Sequence, residues 1–112
     1  MKLPNREEAY IPSAKLSDYL LSSTHAVGKG KARFFRGFGF DERNITTLEV
    51  SLLTIAQMQE VIDVMPTVYG VKYIIDGKLE TPAGVIVNIR TVWMIEPDEN
   101  NPRFVTAYPL PK

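Results

Sequence analysis

Val85-Ile86-Val87-Asn88-Ile89-Arg90-Thr91-Val92-Trp93-Met94-Ile95 is the stretch that decides the fold. Read with a period of two, Val85, Val87, Ile89, Thr91, Trp93 and Ile95 share one face. Ile86, Asn88, Arg90, Val92 and Met94 share the other. The first set is apolar apart from one hydroxyl and reads as a core face; the second carries a guanidinium and an amide and reads as a wetted one. Outward from this strand, Thr81-Pro82-Ala83-Gly84 is a turn, with Gly84 able to take positive φ. A strand is expected before it at residues 68–76 and another at 60–65. After the acidic, Asn- and Pro-containing turn at residues 97–102, a last strand is expected at 104–108. Connections this short join antiparallel neighbours.

Upstream of residue 60 the period changes. Ser13 is a plausible helix N-cap, with Leu16, Tyr19 and Leu20 at helical spacing. A second helix is expected over residues 31–38, where Phe34, Phe35 and Phe38 form an apolar stripe and Gly39 sits at the C-terminal αL position. A third starts near Thr46, where Thr46-Thr47-Leu48-Glu49 matches a capping box, and buries Leu48, Leu52, Ile55 and Ala56. The expected class is α+β: about three N-terminal helices packed on a four-stranded antiparallel sheet. Residues 1–12, polar and holding Pro4 and Pro12, read as an extended arm. Residues 13–112 read as a single domain.

Composition narrows the chemistry. The 112 residues contain no Cys and one His, and thirteen cationic side chains balance thirteen acidic ones. No disulfide scaffold, cysteine nucleophile or thiolate zinc site is available, and no multi-His metal site can be built from one copy. The N-terminus lacks the apolar run of a signal peptide, and no stretch has the length of a bilayer span, so a cytoplasmic location and no membrane partner are expected. Walker A, nucleophile-elbow, paired-carboxylate and dinucleotide patterns are missing, and no cofactor is expected.

Two groups of residues could carry chemistry. The first is the segment from His25 to Arg36, which holds Lys29, Lys31, Arg33 and Arg36 with no acid between them. Gly28 and Gly30 leave the backbone free to approach a ligand, and a helix begins there. His25 is the side chain able to exchange a proton near neutral pH. The second group lies on the wetted sheet face: Lys72, Arg90, Thr106 and Tyr108, with Phe104 sharing the face of Thr106 and Tyr108, and Asp76 that of Lys72. Cations, a hydroxyl and a phenol suit an anionic phosphate. Both groups also read as ordinary solvated surface, since the outer face of an antiparallel sheet must be wet and like-charge runs are usually exposed. The face assignments hold as long as no bulge intervenes.

Two blocks carry a resemblance. The first is Ile11-Pro12, Lys15-Leu16, Tyr19-Leu20-Leu21, His25-x-x-Gly28-x-x-Lys31-Ala32-x-Phe34-Phe35 and Gly39-Phe40. The second is Tyr69-Gly70-x-Lys72-Tyr73-x-x-Asp76-Gly77, Pro82-x-Gly84, Arg90-Thr91-Val92-Trp93 and Arg103-Phe104-Val105-Thr106-Ala107-Tyr108-Pro109. Together they resemble an uncharacterised bacterial domain-of-unknown-function family, found as short single-domain proteins and as C-terminal modules of polymorphic toxins. More loosely, helices followed by a four-stranded antiparallel sheet with Thr-x-Tyr-Pro on the last strand look like the barnase–EndoU–colicin–RelE ribonuclease superfamily. That resemblance implies a metal-independent, toxin-type endoribonuclease, with His25, Lys31, Arg90, Thr106 and Tyr108 as catalytic residues. Lys29, Arg33 and Lys72 would then bind substrate, with RNA and a cognate antitoxin or immunity protein as partners. The alternative is a non-catalytic interaction or immunity module, which zero net charge favours.

Overall fold

The computed structural model describes residues 1–22 and 29–111. Helix α1 (Ser13–Lys15) runs on into a π-helical segment, Leu16–Leu20; α2 spans Lys29–Gly37 and α3 Ile45–Met58. Four strands follow: β1 (Val61–Thr67), β2 (Gly70–Glu80), β3 (Ile86–Ile95) and β4 (Arg103–Pro109). They form one sheet in the order β1-β2-β3-β4, each neighbouring pair antiparallel. This is the α+β architecture that the change of period predicts.

The helices cover one face of the sheet. α3 packs over β2, and α1 and α2 against β4. Leu48, Leu52, Ile55 and Ala56 line the buried side of α3 as their spacing predicts. They meet Ile75, Leu79, Ile89, Trp93, Phe104 and Ala107 from the strands, with Phe35 and Phe40 at the α2 end. Phe34 and Phe38 are half-buried at the rim. No helix among the described residues is long and apolar enough to cross a membrane.

Local chemistry fixes the element ends. Gly39 has φ +99°, the Phe40 N–H donates to the Phe35 carbonyl (3.1 Å), and the Gly39 N–H to that of Arg36 (3.0 Å). This is a Schellman ending to α2, closed by the Phe35–Phe40 ring contact at 6.3 Å. The capping box expected at Thr46–Glu49 stands one turn earlier. Asp41 accepts from the Arg43 N–H and Asn44 Oδ1 from the Asp41 N–H, both at 2.8 Å. A 3₁₀ turn, Glu42–Asn44, leads directly into α3, so the free donors belong to that turn and Thr46 is already helical. Gly70 has φ +133°, and a Cβ there would run into the Ile95 carbonyl, so the β1–β2 hairpin needs glycine at this point.

On β3 the parity of the sequence holds. Ile89, Thr91 and Trp93 are fully buried on the helix side. The Thr91 hydroxyl donates to the Ile75 carbonyl (2.7 Å) and accepts from the Trp93 indole N–H (2.8 Å), so both polar groups of this core are satisfied. On β4 the parity fails at one residue. The register slips between Val92 and Trp93, so Val92 faces Thr106 while Trp93 faces Phe104. The bulge turns Phe104 into the core against Trp93, with ring centroids 5.2 Å apart. Phe104 therefore does not share a face with Thr106 and Tyr108.

Residues 1–12, expected as an extended arm, are docked on the domain. Leu3, Ala9 and Ile11 are buried, and Arg6–Glu8 forms a 3₁₀ turn. The Phe104 N–H donates to the Tyr10 carbonyl (2.9 Å) and the Tyr10 N–H to that of Pro102 (3.0 Å), which covers the start of the β4 edge.

Candidate functional site

The face of the sheet away from the helices is built by the β2–β3–β4 register. Asp76 lies beside Arg90, and Arg90 beside Tyr108, in one row across three strands. Arg90 Nε donates to Asp76 Oδ1 (2.8 Å) and Nη2 to Oδ2 (3.0 Å), a bidentate fork that fixes the guanidinium plane. The Asp76 carboxylate holds Arg90 well above its ordinary value, and the neighbouring Tyr108 phenol acts in the same direction. Arg90 thus stays charged, aimed and still 34% exposed.

The rows on either side belong to the same face. Toward one end, Lys78 pairs with Asn88. Asp76, Gly77, Lys78, Asn88, Leu110 and Pro111, with Gln59, line an open depression of about 410 Å³ there. Toward the other end come Ile74, Val92 and Thr106, then Lys72 and Met94. Ile74, Val92 and Met94 are buried at the centre of this face. Beyond them Tyr69, Lys72, Met94, Glu96, Arg103 and Val105 line a second open groove of about 490 Å³. Arg103 is tied to Glu96 through Nη2 at 2.8 Å. Lys72 and Lys78 have no acidic partner among the described residues.

The structure therefore brings Arg90, Thr106, Tyr108 and Lys72 onto one face. It sets Lys31 and Arg33 apart from them, on α2, which packs against β4 from the helix side. Lys31 is half-buried and Arg33 exposed. His25 lies outside the described residues, and Lys29 enters only as the first residue of α2. The fourth cation of that segment is committed elsewhere: Arg36 Nε donates to the Leu21 carbonyl (2.8 Å) and its guanidinium forks onto Glu42. The basic segment is less basic in space than in sequence.

Asp76 is the residue that sequence reasoning placed on this face without giving it a role. Counting outward from the Thr81–Gly84 turn pairs it with Arg90, so the signal was present in the hairpin register. Among the described residues no group of three His, Asp or Glu side chains is placed to hold a metal ion.

A model of the domain of unknown function DUF6883 matches residues 2–111. The chain belongs to the DUF6883 family. No curated protein matches this DUF6883 chain. Its fold is similar to that of a chain in the contact-dependent growth inhibition toxin–immunity protein complex from Klebsiella pneumoniae 342. The TM-score is 0.74 at 16% identity, over 96% of the DUF6883 chain and 98% of the other. At that identity the likeness establishes a shared fold, while function has to be argued from the site.

Proposed function

We propose that this DUF6883 domain is a metal-independent, toxin-type endoribonuclease whose catalytic face is the open side of the sheet. The observation that carries the reading is the Asp76–Arg90–Tyr108 row. A cation held in one orientation, with a phenol against it, is preorganised for a phosphate whose charge grows in the transition state. In the reaction the ribose 2′-oxygen attacks the neighbouring phosphorus and gives its proton to a base. The 5′-oxygen departs with a proton, leaving a 2′,3′-cyclic phosphate and a 5′-hydroxyl end. Arg90 would hold the non-bridging oxygens. Tyr108 and Thr106 would position the phosphate or pass a proton. His25 would be the general acid or base, and Lys31 a second phosphate contact. Lys29, Arg33 and Lys72 would steer the strand. RNA cleavage in EDTA, lost in His25→Ala and in Arg90→Ala, is the expected result; a folded protein that cleaves no RNA removes the proposal.

A second reading is favoured by one observation. Asp76 already occupies two N–H groups of Arg90, and Glu96 occupies Arg103, so the charge of the face is largely balanced. A balanced polar surface suits a non-catalytic immunity or accessory module that docks a protein. Co-purification of an inactive chain with a cognate toxin would select this reading. Inhibition of the chain's RNA-cleaving activity by a cognate antitoxin or immunity protein would select the first.

A further inference from the structure

We infer that the groove between Tyr69 and Arg103 is a base-stacking subsite for single-stranded RNA, lying along the strand path from Arg90. The inference rests on the endoribonuclease reading and names the form of its substrate. Tyr69 sits at the tip of the β1–β2 hairpin and is 75% exposed, an unusual place for a large aromatic ring. It does not stand alone: it walls a groove whose other sides are Met94, Val105, Lys72 and Arg103, with Glu96 beside Arg103. An aromatic wall, apolar contacts and a cation with no acidic partner among the described residues match what a splayed-out base and its phosphate require.

The spacing fits as well. Lys72 and Met94 stand four residues along their strands from Asp76 and Arg90, roughly 13 Å at the rise of an extended strand. A backbone with its phosphate at Arg90 reaches that groove within a nucleotide or two. Duplex RNA, whose bases are already stacked, cannot offer a ring to Tyr69, so the groove selects loops and single strands. The acids nearest the path do not block it. Asp63 is turned onto the Val64 N–H (2.9 Å), and Asp76 and Glu96 are engaged by arginines.

The test uses the whole chain and a short 2′-O-methyl single-stranded RNA oligonucleotide, which binds but cannot be cleaved. Binding is read by fluorescence anisotropy at two salt concentrations. Tyr69→Ala should weaken binding roughly ten-fold while Tyr69→Trp retains it. Lys72→Gln should weaken binding and lower the slope of log affinity against log salt by roughly one. Val68→Ser, at the neighbouring tip residue outside the groove, should change nothing. A duplex of the same sequence should bind more weakly and be insensitive to Tyr69→Ala. The inference is overturned if the wild type binds no single-stranded RNA, or if Tyr69→Ala binds as the wild type does. It is also overturned if Val68→Ser costs as much as Tyr69→Ala, which would mark the hairpin tip as an apolar protein-docking surface. The predicted binding pattern without any cleavage of ordinary RNA upholds the groove and removes the catalytic reading.

Discussion

The two faces of this sheet solve opposite problems with the same strands. On the helix side, the polar groups close on themselves: Thr91 serves Trp93 and Ile75, and no polar side-chain atom buried among the described residues lacks a partner. On the open side, Ile74, Val92 and Met94 are buried at the centre while the polar groups around them stay within reach of solvent. The first face determines stability. The second is organised by a rigid cation that the fold does not require, because a wetted sheet face is satisfied by water. Polar residues fixed in place where packing asks for nothing are where function is sought.

The contrast can be broken from either side. The largest effect belongs to the core face. Trp93→Ala should lose about 3–5 kcal/mol, read by urea unfolding followed by far-ultraviolet circular dichroism, because it empties the centre of the layer. A stability near wild type would mean that the core is centred elsewhere. Next comes the open face. Tyr108→Phe should lower kcat on RNA roughly a hundred-fold and leave the melting temperature almost unchanged. Equal losses of activity and stability would make Tyr108 structural. Thr91→Val sharpens the comparison, because it removes one hydroxyl and leaves the Trp93 indole N–H unpaired. It should cost about 1–3 kcal/mol, more than any removal of a hydroxyl on the open face.

The smallest effect is with pH. Glu42 is held below the ordinary carboxylate range, first by its hydrogen bond from Arg36. A group whose value is lowered by folding adds stability above its unfolded value, near pH 4.3. That stability is lost as pH falls through the lower folded value. The melting temperature should therefore drop slightly below that range in the wild type, and less so in Glu42→Gln.

How much of this was legible in the sequence differs between the faces. The alternation from Val85 to Ile95 gave the core side of β3 directly, and the turn at Thr81–Gly84 gave its partner. Helix α3 was equally plain, since Leu48, Leu52, Ile55 and Ala56 repeat at one spacing. The capping box was misplaced because Asp41–Asn44 and Thr46–Glu49 offer similar local patterns, and the 3₁₀ turn that decides between them needs tertiary support. Phe104 was misassigned because a bulge is one residue of slip and leaves little trace in a strand rich in β-formers. The Asp76–Arg90 fork was implicit in the hairpin register. By contrast, the commitment of Arg36 to Leu21 and Glu42 could not be read from a run of cations. Such a run shows how charges follow one another along the chain, not which carbonyl or carboxylate folds back onto them.

The measurement that bears most directly on the open face is cleavage of a single-stranded RNA in excess EDTA by the wild type and by Arg90→Ala, with circular dichroism confirming that both are folded. The wild type should release 2′,3′-cyclic phosphate ends, and Arg90→Ala should be slower by about 10²–10³, the usual cost of losing one preorganised donor at a developing charge. A folded wild type that leaves RNA intact, or an Arg90→Ala variant that cleaves as fast as its parent, would contradict the assignment of this face as a ribonuclease site.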